Sequence, residues 1–129
     1  MERIMSYEEF LYRVKDGIYD EQGHSPIVPV LQFFQVRWRL EVIYYLFTSD
    51  SARFNEIKFN VKGITSTMLS STLSDLCKAG LVNRKSFSEK PPHVEYSLTE
   101  KGLALLPVYY EIMNWGWVYP TKKPKKAKK

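Results

Sequence analysis

Between Ile64 and Leu81 the chain reads ITSTMLSSTLSDLCKAGL, and Ser66, Thr67, Ser70, Ser71 and Ser74 recur there at the spacing of one helical face. A hydroxyl can attack as a nucleophile when a base takes its proton, or it can donate and accept hydrogen bonds. The first use needs companions that this sequence lacks. There is no G-x-S-x-G, no nucleophile and base at a telling spacing, and no phosphate-binding glycine loop. An enzyme is therefore not expected, and the hydroxyls are left as hydrogen-bonding groups on a helix surface. Serine and threonine form helices poorly, so a face built from them calls for a use.

Basic residues are the second chemical resource. The formal charge is +5, but six of the nineteen Lys and Arg fall in the last eight residues, KKPKKAKK, and the remaining 13 face 14 Asp and Glu. The body is nearly neutral, so a nucleic-acid reading rests on where cations lie rather than on overall charge. The candidates are Arg84 and Lys85 on one predicted strand, Lys90 and His93 at the tip beyond it, Arg53 at the start of a short helix, and Arg37 before Trp38. For Arg37 and Arg53 an internal ion pair is an equal alternative. The single cysteine, Cys77, excludes an internal disulfide, and with only His24 and His93 beside it no metal or cofactor is expected. Cys77 falls on the apolar side of its helix, as a small core residue would.

These groups need elements to hold them. Ser6 and Glu9 form a capping-box pattern before a short helix with Tyr7, Phe10, Leu11 and Val14 on one side. A turn-rich, acidic linker follows, then one or two buried helices between Val28 and Phe47, broken near Gln35 to Arg37. A short helix over 53–62 turns inward Phe54, Ile57 and Val61 and ends at Gly63. Thr65 caps the hydroxyl-rich helix over 65–79, whose apolar side carries Met68, Leu69, Leu73, Leu76 and Cys77. Ala79-Gly80 stops it, and a two-stranded hairpin over 82–98 follows, with Val94, Tyr96 and Leu98 alternating against Glu95 and Ser97. A final helix over 99–119, begun by Thr99 and kinked or restarted at Pro107, is apolar almost all the way round. Such a helix needs two surfaces to cover it, and the simplest second surface is another copy of the chain.

Helix, tight turn, helix and hairpin is the order of a winged helix-turn-helix. The expected fold is mainly α with a small β-hairpin: a winged helix-turn-helix core over 25–98, an N-terminal helix within 1–20 and a C-terminal helix over 99–119, both in dimer contact, and a disordered Lys-rich tail over 120–129. No run of eighteen apolar residues is present and the charged start MERIMSYEEF lacks a signal-peptide stretch, so a cytoplasmic protein without membrane contact is expected.

The segments RWRLEVIYYL, ARFNEIKFNVKGITSTMLSSTLSDLCKAGLVNRK and, most specifically, KPPHVEYSLTEKGLALLPV resemble the HxlR family of winged-helix transcription regulators, from about Ser25 to Trp115. The resemblance implies a homodimer on an inverted-repeat operator in double-stranded DNA, with repression the first expectation for the sign of control. On this reading Thr65, Ser66, Thr67, Ser70 and Ser71 meet DNA in the major groove, while Arg84, Lys85, Lys90, His93, Arg53 and Arg37 hold its backbone. Tyr7, Phe10, Leu11, Leu106, Tyr109, Tyr110, Met113 and Trp117 are the expected dimer contacts. Aromatic residues such as Tyr44, Tyr45 and Trp115 suit core and dimer packing, with a pocket for an unidentified small-molecule effector as the alternative. Many regulators of this family sense thiol-reactive compounds through a cysteine before a proline near the start of the domain. Here Ser25 precedes Pro26, and serine offers no thiolate to oxidise. A winged helix can also serve protein–protein contact alone, which stands as the rival reading.

Overall fold

Three helices supply the largest buried side chains: Val42, Ile43 and Leu46 from α3 (Arg37–Leu46), Ile57 from α4 (Phe54–Asn60), and Leu69, Leu73 and Leu76 from α5 (Ser66–Lys78). Each set sits at helical spacing, so each helix turns one apolar stripe inward and the three stripes close on one another. The computed structural model describes residues 3–121. Around this core lie α1 (Tyr7–Asp16), α2 (Ile27–Phe34), β1 (Ala52–Arg53), β2 (Val82–Phe87), β3 (His93–Leu98), α6 (Glu100–Leu103) and α7 (Leu106–Val118). The Lys-rich tail at 122–129 lies outside the described residues.

The expected hairpin is present, but it is part of a three-stranded antiparallel sheet in the order β1-β3-β2. Ala52 pairs with Tyr96 and Arg53 with Glu95, while β2 and β3 pair from Val82–Leu98 out to Phe87–His93. Side chains alternate across a strand, so Ala52, Val82, Tyr96 and Leu98 share the core side, and Arg53, Lys85, Phe87, His93 and Glu95 share the outer side. The clean alternation expected for β3 is absent: all six of its residues are half-buried. Phe87 and His93 stack on the outer face, with ring centroids 4.6 Å apart, and cover part of what would otherwise be a solvated surface.

Helix ends follow local chemistry. Thr65 caps α5 by accepting from the Met68 amide at 3.1 Å, and Thr99 caps α6 by accepting from that of Gly102 at 3.1 Å. Ser6 accepts from the Glu9 amide, but the Glu9 carboxylate completes no capping box and instead pairs with Arg13 at 2.7 Å. At the far end of α5 the Leu81 amide reaches the Leu76 carbonyl and the Gly80 amide that of Cys77, a Schellman stop with Gly80 at φ 76°. Lys101 Nζ and Thr99 Oγ1 then donate to the carbonyls of Ala79 and Gly80, at 2.8 and 2.6 Å. A Cβ at Gly102 would collide with the Leu81 carbonyl, so glycine permits the close approach that brings these donors in.

Elsewhere the structure departs from the sequence expectation in two respects. The helices between Val28 and Phe47 are two, as the break near Gln35 implied, but α2 buries none of its residues within this chain; Ile27, Val30 and Leu31 are at least half exposed. Met68 is exposed rather than packed, because its position lies at the edge of the stripe centred on Leu69 and Leu76. The final helix restarts as Pro107 implied: α6 and α7 are separate, with Pro107 in the first turn of α7, where a missing N–H costs nothing.

Candidate nucleic-acid interface

The outer arc of α5 presents Ser66, Thr67, Ser70, Ser71 and Ser74, all exposed. Thr67, Ser71, Ser74 and Lys78 fall along its outermost line at spacings of four, three and four residues. A shallow groove runs beside them, with Phe54 from the first turn of α4 as its apolar wall. Thr65 differs from its neighbours, since its oxygen already caps the helix.

Besides its apolar stripe, this helix is held by a polar link that sequence reasoning did not single out. Arg39 of α3 donates to Asp75 Oδ2 on α5 at 3.0 Å and to the Phe33 carbonyl at the end of α2 at 2.7 Å, with its guanidinium 4.5 Å from the Phe33 ring. One cation thus ties the last turn of α2 to the last turn of α5. Among the described residues its buried Nε has no partner, which makes the two bonds formed by the other guanidinium nitrogens more consequential.

The basic candidates divide between the two sides of the sheet. Arg84 and Lys85 are adjacent on β2 and therefore point to opposite faces. Arg84 lies on the α5 side, near Cys77, and donates to Ser86 Oγ at 3.2 Å. Lys85 lies on the outer side, its ammonium 5.1 Å from the Phe87 ring. Lys90 is exposed in the turn between the strands. His93 is not a free tip residue: it opens β3, stacks on Phe87, and its Nε2 is 2.8 Å from Glu95 Oε2 with only 13% of the side chain exposed. Glu95 also accepts from Ser51 Oγ at 2.6 Å. These two hydrogen bonds, Ser51 foremost, hold its carboxyl below the ordinary range, with the charges of His93 and Arg53 adding to the effect. Arg53 thus shares its face with a carboxylate, and Arg37 rests its guanidinium 4.8 Å from the Trp38 ring. The structure brings the five hydroxyls together and sets Arg84 near Cys77 at the end of their helix; Lys85, His93 and Arg53 occupy the other face of the sheet. Lys78 and Met68, both exposed on α5, were not among the expected contacts; the four-three-four spacing from Thr67 could have located Lys78.

A helix that packs one face into the core and shows hydroxyls on the other, preceded by a helix and tight turn and followed by a hairpin, is the geometry of a DNA-reading module, and a family model described as HxlR-like helix-turn-helix matches residues 33–124. The chain belongs to the HxlR-like helix-turn-helix family. It is a winged-helix, DNA-binding transcriptional regulator and not an enzyme. A relative from Halalkalibacterium halodurans, named an uncharacterized HTH-type transcriptional regulator, is 39% identical over 112 residues, covering 87% of this chain and 95% of its own. The reduced form of the transcriptional regulator YodB from Bacillus subtilis superposes with a TM-score of 0.71 at 27% identity, covering 83% of this chain and 100% of its own. The redox regulator HypR in its reduced form gives a TM-score of 0.67 at 33% identity, covering 75% and 95%. Within this HxlR-like chain, Cys77 is half-buried and its thiol is pushed up by that burial, only partly offset by Arg84. Among the described residues no helix is long and apolar enough to cross a membrane.

Proposed function

We propose that the chain acts as a homodimer on an inverted-repeat operator, with α5 in the major groove and the β2–β3 hairpin along the adjoining backbone, and that it represses the genes it controls. The observation that carries this reading is the solvent-facing arc of Ser66, Thr67, Ser70, Ser71 and Ser74, with Arg84 exposed on β2 near Cys77 at the end of the same helix. Hydroxyls read bases weakly one by one, whereas a guanidinium on phosphate contributes to every sequence alike. Lys90 and Lys78 extend the phosphate contacts; Lys85, Arg53, Arg37 and His93 take a lesser part. His93 contributes chiefly by packing the hairpin through Phe87 and Glu95.

The second copy is supported by the surface of the terminal helices. Tyr7, Phe10 and Leu11 of α1 and Leu106, Tyr110 and Trp117 of α7 are exposed large apolar side chains. Met113 is half-buried, and Tyr109 serves mainly its own chain: its ring packs on Phe47 and Tyr44, and its hydroxyl donates to the Leu40 carbonyl at 2.8 Å. An effector is not required by this reading; an open hollow of about 240 Å³ between α2 and the end of α5, lined by Val30, Phe33, Phe34, Leu81 and Leu105, would suit a small apolar one. Ser25 in place of a thiol argues against cysteine-based sensing at that position.

The test is competition binding to promoter fragments near its own gene at moderate salt. A specific complex should survive excess unrelated DNA. Arg84→Ala should weaken all fragments together, and Ser70→Ala or Ser71→Ala should change their order of preference modestly. Fragments that all compete equally with unrelated DNA would remove the operator reading.

A further inference from the structure

The base-facing part of α5 lacks the side chains that usually name a base. From Ser66 to Ser74 it has no Arg, Lys, Asn or Gln, so it cannot form the two-pronged hydrogen bonds that pick out guanine or adenine. A serine hydroxyl donates and accepts, and therefore satisfies either partner of a base pair. Discrimination on the first turns must come from another property, and apolar groups are the property left.

Two such groups stand at the reading edge. Thr67 carries the only methyl on the outermost line of α5, in the turn that enters a groove first. Met68, beside it, keeps 38% of its surface exposed although the core stripe lies just past it. The Met68 thioether is thus left in water on the flank of α5, about 100° round the helix from Thr67, and the two put apolar groups at separate points along an otherwise hydroxylic face. In the major groove only thymine presents a matching group, its C5 methyl.

We propose that Thr67 and Met68 are specificity-determining residues, reading thymine methyl groups in each half-site. This rests on α5 being the base-reading helix, and the experiment separates the two claims. Duplexes bound by the full chain are selected from a random pool, and the best is remade with each thymine in turn replaced by uracil, which keeps every hydrogen bond and loses the methyl. At the thymine that Thr67 meets, the replacement should weaken binding about fourfold, and about fifteenfold when made in both half-sites, as expected for one buried methyl each. Thr67→Ser should bind the thymine duplex more weakly and lose its sensitivity to uracil there, whereas Thr67→Val, which keeps a methyl and drops the hydroxyl, should retain it. Met68→Ala should erase sensitivity at a neighbouring thymine. Melting curves close to that of the unaltered chain show that these variants fold.

Uracil tolerated at every position would overturn the proposal, as would a sensitivity that neither Thr67→Ser nor Met68→Ala changes. A pool that yields no preferred sequence would overturn the operator reading itself, and this inference with it.

Discussion

The helices α5 and α7 are both thirteen residues long, and both are tied to α3 by a single polar link, yet they end in opposite conditions. Asp75 on α5 meets Arg39, and Tyr109 on α7 meets the Leu40 carbonyl. Helix α5 buries Leu69, Thr72, Leu73 and Leu76 and shows hydroxyls to solvent; α7 buries nothing completely and shows Leu106, Tyr110, Ile112, Trp115 and Trp117. The first is finished by its own chain and exposes groups that water satisfies. The second is left uncovered, since Leu106, Tyr110, Ile112, Trp115 and Trp117 exposed in one stretch are the kind of surface that a subunit interface buries. A poor helix former can therefore be well placed and a strongly apolar one left uncovered, because packing rather than propensity decides each case.

That contrast can be broken at either helix. Tyr110→Asp combined with Trp117→Asp should leave the monomer folded, as both residues are exposed, but should abolish dimers in sedimentation. Operator affinity should then fall by about 10²- to 10⁴-fold, the usual gain from joining two binding units. If the unaltered chain already sediments as a monomer at micromolar concentration, α7 needs another explanation. On α5, Asp75→Ala strands the Arg39 guanidinium; an ion pair of this exposure should cost about 1 kcal/mol, read as a lowered melting temperature. An unchanged melt would mean that the apolar stripe alone orients the reading helix. An effect of similar size belongs to Tyr109→Phe, which removes one bond to Leu40 and should cost roughly 0.5–1.5 kcal/mol without altering the mass of the dimer. Burial pushes that phenol well above its ordinary range, with Glu41 adding to the effect, so its bond should persist unchanged from neutral to mildly alkaline pH.

Most of this architecture could be read from the residues. The stripe Leu69, Leu73, Leu76, the caps Thr65 and Thr99, and the stop at Gly80 are local signals, each set by neighbours within a few positions. What escaped was set from afar. Strand β1 is two residues long, too short for any periodicity, and exists only because β3 offers its edge. The link between Arg39 and Asp75 spans 36 positions. His93 reads as a tip residue by its distance from Pro91-Pro92, but its pairing with Phe87 draws it into the sheet. Met68 fits the apolar spacing and still faces outward, since a helical stripe has an edge that counting does not locate.

The clamp at the end of α5 has one more consequence. Lys101 and Thr99 hold the carbonyls of Ala79 and Gly80, and Gly102 lets α6 lie against Leu81, so the chain offers no slack between the reading helix and the start of α7. If two copies join through α7, their reading helices stand like the jaws of a caliper locked at one width. Each base pair inserted between half-sites turns the second by about 35° around the duplex, and jaws of fixed width cannot follow it.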